Sequence, residues 1–159
     1  MIVEDVRSAI RAGFTPLILT HRVEHVQRIA EALKELPNVI PMKGGMSKRQ
    51  REAVAAQLAA IPSDAPRVIV ATGSYIGEGF DDARLDALFL TMPISWQGTL
   101  QQYVGRLHRL HEGKRTVRVY DYVDTHVRML ARMYEKRLRG YKALGYVVEG
   151  EQLDDDTLP

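Results

Sequence analysis

The sequence predicts an α/β fold: a parallel sheet held between two layers of helices, a three-layer α/β/α sandwich. Three observations carry this. Short apolar runs alternate along the chain with segments whose apolar residues recur every three or four positions. The clearest run, Arg67-Val68-Ile69-Val70-Ala71, is β-branched and apolar on both faces, as a strand covered by helices on each side must be. Helical segments of roughly 10–15 residues separate the runs, which suits crossovers between parallel strands rather than hairpins.

Residues 3–12 read as a helix that Gly13 stops, because a residue without Cβ accepts the left-handed turn of a helix end. Pro16-Leu17-Ile18-Leu19-Thr20 reads as a buried strand. Val26, Ile29, Ala30 and Leu33 then recur at helical spacing between Val23 and Leu36, and Pro37 ends the pattern. Asn38 to Met42 is a brief second strand, followed by the loop Lys43-Gly44-Gly45-Met46. Ser47-Lys48-Arg49-Gln50 is a candidate capping box opening a helix to Ala60. Beyond a turn at Pro62–Pro66 and the central strand lies a glycine-punctuated loop, then a strand at Ala87–Leu90. A helix is expected over 97–108, a strand over Thr116–Asp121 and a long helix over 125–143. That helix has an apolar stripe of Val127, Leu130, Ala131, Tyr134, Leu138 and Tyr141, opposite a solvated face with Arg128, Arg132, Arg139 and Lys142. Tyr146-Val147-Val148 is expected to add an edge strand, so the domain spans 1–148; residues 149–159, with Asp154-Asp155-Asp156, are expected to be an acidic, flexible tail.

With 159 residues, 45% of them apolar and 26% charged, the chain is long enough to bury one domain's core. A formal charge of +2 and a pI near 8.9 permit nucleic-acid binding without requiring it. The lack of cysteine removes disulfides, thiol nucleophiles and cysteine-ligated metals, and no metal site is expected. No apolar stretch approaches the roughly 18 residues of a bilayer span. Met1-Ile2-Val3-Glu4-Asp5 does not read as a signal peptide, so the expectation is a cytoplasmic protein without a membrane partner.

Two segments carry chemistry. On a helix, Gln102, Arg106 and Arg109 fall within about 60° of one another, with Gly105 beside them, while Leu100, Tyr103, Val104 and Leu107 take the other side. Guanidiniums stay protonated and offer planar forks of donors, so a close pair suits phosphate or a developing phosphoryl charge; a solvated helix face is the plain alternative. The second segment runs from Ala71-Thr72-Gly73-Ser74 to Gly77-Glu78-Gly79-Phe80-Asp81. Small and hydroxyl residues after a buried strand let a ligand approach the backbone, although glycines also serve ordinary tight turns. A dinucleotide loop is excluded, because Asp82 stands where a third glycine is needed.

Together these segments resemble superfamily 2 helicases. Gln102-x-x-Gly105-Arg106-x-x-Arg109 is similar to their motif VI, and Thr72 through Gly79-Phe80-Asp81 to motif V. Leu17-Ile18-Leu19-Thr20-His21-Arg22 resembles motif IV, and Gly44-Gly45-Met46-Ser47 with Arg51 the glycine turn after it. The four follow in family order over roughly residues 15–124. The wording is nearest the branch of type III restriction subunits and excision-repair DNA helicases. It departs from DEAD-box RNA helicases, whose motif VI opens with His-Arg where Gln102-Tyr103 stands here.

The resemblance implies the second RecA-like (P-loop NTPase-like) motor domain of an ATP-dependent helicase or translocase. Arg106 and Arg109 would be arginine fingers for ATP, Gln102 would orient the γ-phosphate or attacking water, and Gly79 and Asp81 would contact the ribose side. Thr20, His21, Arg22, Gly44, Gly45, Thr72 and Gly73 would grip nucleic-acid backbone, DNA favoured over RNA. No Gly-x-x-x-x-Gly-Lys-Ser/Thr or Asp-Glu-x-His occurs, so ATP and Mg²⁺ would be bound mainly by a first RecA-like domain, and the chain is expected to be part of a longer protein. Two other readings are a nucleic-acid clamp of the same fold without ATPase function and a Rossmann-type enzyme of small nucleotides. His108-Arg109-Leu110-His111-Glu112 lacks the histidine spacing of a zinc protease. Trp96 reads as a packing anchor, and His25 and His126 as surface residues.

Overall fold

The computed structural model describes residues 1–77, 80, 82–95, 98–108 and 116–150. Five strands, β1 (Pro16–Thr20), β2 (Val39–Met42), β3 (Val68–Thr72), β4 (Ala87–Leu90) and β5 (Arg118–Asp121), form one sheet in the order β2-β3-β1-β4-β5. All four pairings are parallel. The central strands β1, β3 and β4 are buried along their whole length, which is why they read as continuous apolar runs.

Alternation within each strand divides the core in two. Leu17, Leu19, Ile40, Met42, Ile69, Ala71, Leu88 and Leu90 face one way, where α3 (Lys48–Ala60), α5 (Thr99–Leu107) and α6 (Arg128–Ala143) contribute Leu58, Leu100, Tyr103, Val104, Leu107 and Tyr141. Ile18, Val68, Val70, Ala87 and Phe89 face the other way, against Val6 and Ala9 of α1 (Ile2–Arg11) and Val26 of α2 (Val23–Ala32). Phe89 also stacks on Tyr120 at a centroid distance of 4.2 Å. The expected three-layer sandwich is therefore the observed one.

Local signals act as anticipated at several ends. Ser47 and Gln50 form the capping box of α3, with Gln50 N–H donating to Ser47 Oγ (3.2 Å) and Ser47 N–H to Gln50 Oε1 (2.8 Å). Gly13 follows α1 at φ 86°. Other ends move. The helix read to Leu36 closes at Ala32, β3 runs 68–72 rather than 67–71, and α6 begins at Arg128 rather than 125. A short helix, α4 (Gly73–Gly77), occupies the start of the glycine-punctuated loop. Tyr146-Val147-Val148 forms no strand, leaving β5 at the sheet's edge. The tail lies outside the described residues from position 151 on. Among the described residues no helix is long and apolar enough to cross a membrane.

Candidate nucleic-acid and nucleotide site

Because β1 and β3 are parallel neighbours in register, Thr20 stands opposite Thr72 at their carboxyl ends. The loop after β2 reaches the same edge, where Gly44 N–H donates to Thr72 Oγ1 at 2.9 Å. Thr72 Oγ1 also meets Ser74 Oγ at 3.2 Å. A Cβ on Gly44 would stand 2.6 Å from Ser74 Oγ and so displace that hydroxyl from Thr72, and Gly45 holds φ 79°, where glycine is favoured. Thr20, Gly44, Gly45, Thr72 and Gly73, from three separated sequence segments, thus converge at one strand-end edge. Their availability differs from the expectation. Thr20 and Thr72 are buried, Thr20 Oγ1 pairs with His25 Nδ1 (3.3 Å), and the Gly44 amide is spent on Thr72. His21 and Arg22 are exposed, with His21 Nε2 3.1 Å from the Pro93 carbonyl oxygen.

The helix α5 divides as its pattern predicted. Leu100, Tyr103, Val104 and Leu107 are buried, Gln102 and Gly105 are exposed, and Arg106 is half-buried. Arg106 Nη1 donates to the Phe80 carbonyl at 2.9 Å, and Tyr103 Oη donates to the Gly73 carbonyl at 2.5 Å. Burial raises the pKa of the Tyr103 phenol against a weaker opposing pull from the Arg106 guanidinium, so Tyr103 stays a donor. The two segments that carry motif-like sequence are therefore tied together at two points. Arg106 shares a small cleft with Leu17, Asp82 and Leu85. Gly79, Asp81 and Arg109 lie outside the described residues, as does Trp96.

Positions the sequence reading left out also build the site. Ser74, quoted there only as part of its segment, braces Thr72. Arg137 is buried on the sheet side of α6; it donates to Asp121 from Nε (2.6 Å) and Nη2 (2.9 Å) and to the Ile94 carbonyl from Nη1 (2.7 Å). It thereby holds the connection that leads into α5. The signal was present, because Arg137 falls on the stripe of Tyr134, Leu138 and Tyr141 rather than on the opposite face. A groove of about 900 Å³ follows β5 and the segment Leu144–Glu149 and contains none of the candidate residues. We give it no part in the site, since it is the open flank of an edge strand rather than a convergence of donors. Among the described residues no group of three His, Asp or Glu side chains converges as metal ligands would.

A parallel RecA-like sheet whose strand ends and α5 carry interlocked helicase-type segments defines the class as a helicase motor domain. The helicase conserved C-terminal domain family matches residues 3–111, and the chain belongs to that family. No curated protein sequence matches it. Among solved structures it is similar to T4 UvsW, with a TM-score of 0.66, 18% identity, and coverage of 89% of this chain and 31% of that one. Domain 2 of the DEAD-box helicase Mss116p, bound to an RNA duplex, gives 0.53 and 17% over 75% of this chain and 47% of the other. The ATP-dependent type ISP restriction-modification enzyme LlaBIII, bound to DNA, gives 0.52 and 25% over 67% and 8%. The chain thus spans less than half the length of each of these structures.

Proposed function

We propose that this chain is the second motor domain of an ATP-dependent nucleic-acid helicase or translocase, with DNA favoured, working against a first RecA-like domain that holds the nucleotide. The observation that supports this most is the double tie between α5 and the segment after β3, Arg106 to the Phe80 carbonyl and Tyr103 to the Gly73 carbonyl. It links the guanidinium helix to the strand-end edge of Thr20 and Thr72, so movement at one is felt at the other. In this reading Arg106 and Arg109 offer cationic forks to the phosphates of ATP, with Gln102 beside them and Gly79 and Asp81 on the ribose side. Thr20, His21, Arg22, Gly44, Gly45, Thr72 and Gly73 form the backbone grip.

The donor set fits an anion. A half-buried guanidinium suits phosphate, whereas Mg²⁺ requires carboxylates that do not converge among the described residues. Bound Mg²⁺-ATP supplies the phosphoryl group; this chain contributes positive charge where charge develops. Contacts to backbone rather than base edges imply weak sequence preference.

The test is made in the protein that pairs this chain with its first motor domain. Replacing Arg106 by Ala should leave nucleotide affinity near its original value while turnover falls by roughly 10³–10⁵, the range for arginine fingers. Arg106→Lys should recover little, because ammonium lacks the planar fork. Near-normal steady-state hydrolysis by Arg106→Ala would overturn the finger assignment.

A further inference from the structure

The helix α6 carries a charge distribution that the candidate site does not use. It holds six of the chain's 22 Lys and Arg residues and one of its 20 Asp and Glu residues, so α6 stands at +5 and the remaining chain at −3. Arg137 is turned inward onto Asp121. The other five, Arg128, Arg132, Lys136, Arg139 and Lys142, are all exposed. At 100° per residue they fall within an arc of about 120° on the side opposite Arg137. None of the five has an ion-pair partner among the described residues. Glu135, half-buried, is the single acid within the arc.

This arrangement opposes helix stability. Arg128–Arg132 and Arg132–Lys136 are like charges at i, i+4, and Lys136–Arg139 and Arg139–Lys142 at i, i+3. Arg128 also faces the positive end of the helix dipole, with no acid in the first turn to offset it. Elsewhere the chain does pair its surface helix charges, as Arg11 with Glu4 and Lys48 with Glu52. Glu135, spaced i, i+4 from Arg139, and Lys142 in the last turn offset this cost only in part, and the remainder points to a partner of opposite charge.

We propose that the outward face of α6 is a second contact for the phosphodiester backbone of nucleic acid, separate from the Thr20–Thr72 edge. The proposal rests on the nucleic-acid reading above. From Arg128 to Lys142 the helix rises about 21 Å, the length of roughly six base pairs. The helix is fastened beside the candidate grip: Arg137 binds the Ile94 carbonyl, and His21 binds the adjacent Pro93 carbonyl. An anionic membrane fits less well, because a membrane-surface helix inserts its apolar side, and here Leu138 and Tyr141 pack against the sheet.

Binding of a fluorescently labelled 30-base-pair duplex by the 159-residue chain, titrated across salt concentrations, tests this. Arg132→Gln, Arg139→Gln and Lys142→Gln combined remove three charges at exposed positions. The triple variant should bind on the order of tenfold or more weakly at low salt, and its log K against log salt slope should be shallower by about 2–3. Arg132→Lys with Arg139→Lys should keep the original slope. Unchanged affinity and slope in the triple variant, with binding by the original chain intact, would remove α6 as a contact and leave the proposed function standing. Failure of the original chain to bind any nucleic acid would overturn both. Loss of binding to phosphatidylserine vesicles or polyglutamate, with duplex binding unaltered, would reassign the face to a membrane or an acidic protein.

Discussion

Two arginines occupy places where the core would otherwise be apolar. Arg67 and Arg137 are each about 1% exposed. Arg67 meets Asp82 at 3.4 Å and the Ile61 and Pro62 carbonyls; Arg137 meets Asp121 and the Ile94 carbonyl, with Tyr141 Oη donating to the same Asp121. A buried pair gains little over apolar residues of equal volume, but breaking one half strands a charge. Arg137→Ala should therefore lower unfolding stability by about 3–5 kcal/mol, measured by urea denaturation. Arg137→Met combined with Asp121→Asn should cost less than the single Arg137→Ala, because no carboxylate is left unpaired. A loss below about 1 kcal/mol for Arg137→Ala, the range of solvated pairs, would show that water reaches Asp121. The helical stripe marked Arg137 as inward-facing, but neither pairing partner was legible in the sequence. Residue type makes arginine a surface residue by default, and each partner aspartate lies about 15 residues away in a different element. Only the strand and helix packing brings them together.

Element boundaries divide along a physical line. Where a local signal fixes an end, as Ser47 and Gln50 do for α3 or Gly13 after α1, the sequence shows it. Where a local turn and strand-like composition compete, it does not. Tyr146-Val147-Val148 has strand composition, yet α6 closes in a Schellman turn, with Gly145 at φ 86° and Tyr146 N–H on the Tyr141 carbonyl. The Tyr146 ring then turns to His108, 2.9 Å from Oη to Nε2, so the segment is held away from ladder geometry with β5. Within α5 the element-level question concerns Gly105, which is exposed and whose added Cβ would meet nothing within 4 Å. Packing inside the chain does not require glycine there, and mid-helix glycine costs about 0.5–1 kcal/mol relative to alanine. Gly105→Ala should accordingly raise the thermal midpoint of this chain. In the two-domain protein it should also depress hydrolysis, because the methyl group fills the gap between Gln102 and Arg106 that the nucleotide is proposed to approach. Stabilisation without loss of turnover would mean that nothing approaches α5 at that point.

For the molecule as a whole, the alternation of runs and periodic segments sufficed to foresee a parallel sheet with two helical layers. The positions of Thr20 and Thr72 follow from that topology alone, since parallel strands put every carboxyl end on one side. What the alternation did not show is how α5 is tied to the segment after β3, through Tyr103 to the Gly73 carbonyl and Arg106 to the Phe80 carbonyl. The same whole-molecule view governs catalysis. Phosphoryl transfer needs a phosphate cradle, a metal-binding carboxylate and positive charge at the transition state. The sequence contains neither a Gly-x-x-x-x-Gly-Lys-Ser/Thr loop nor an Asp-Glu-x-His segment. In the proposed reading Arg106 and Arg109 supply only the third requirement, and charge alone does not hold a nucleotide in line for attack. Residues 1–159 by themselves should therefore release no phosphate from Mg²⁺-ATP above the uncatalysed background, whether or not duplex or single-stranded DNA is present. Joining the chain to its first motor domain should restore nucleic-acid-stimulated hydrolysis, and the same fusion carrying Arg106→Ala should not. Phosphate release by the isolated chain that survives further purification and is unaffected by Arg106→Ala would mean that a complete site exists elsewhere on this fold, and the two-domain division of labour would fall.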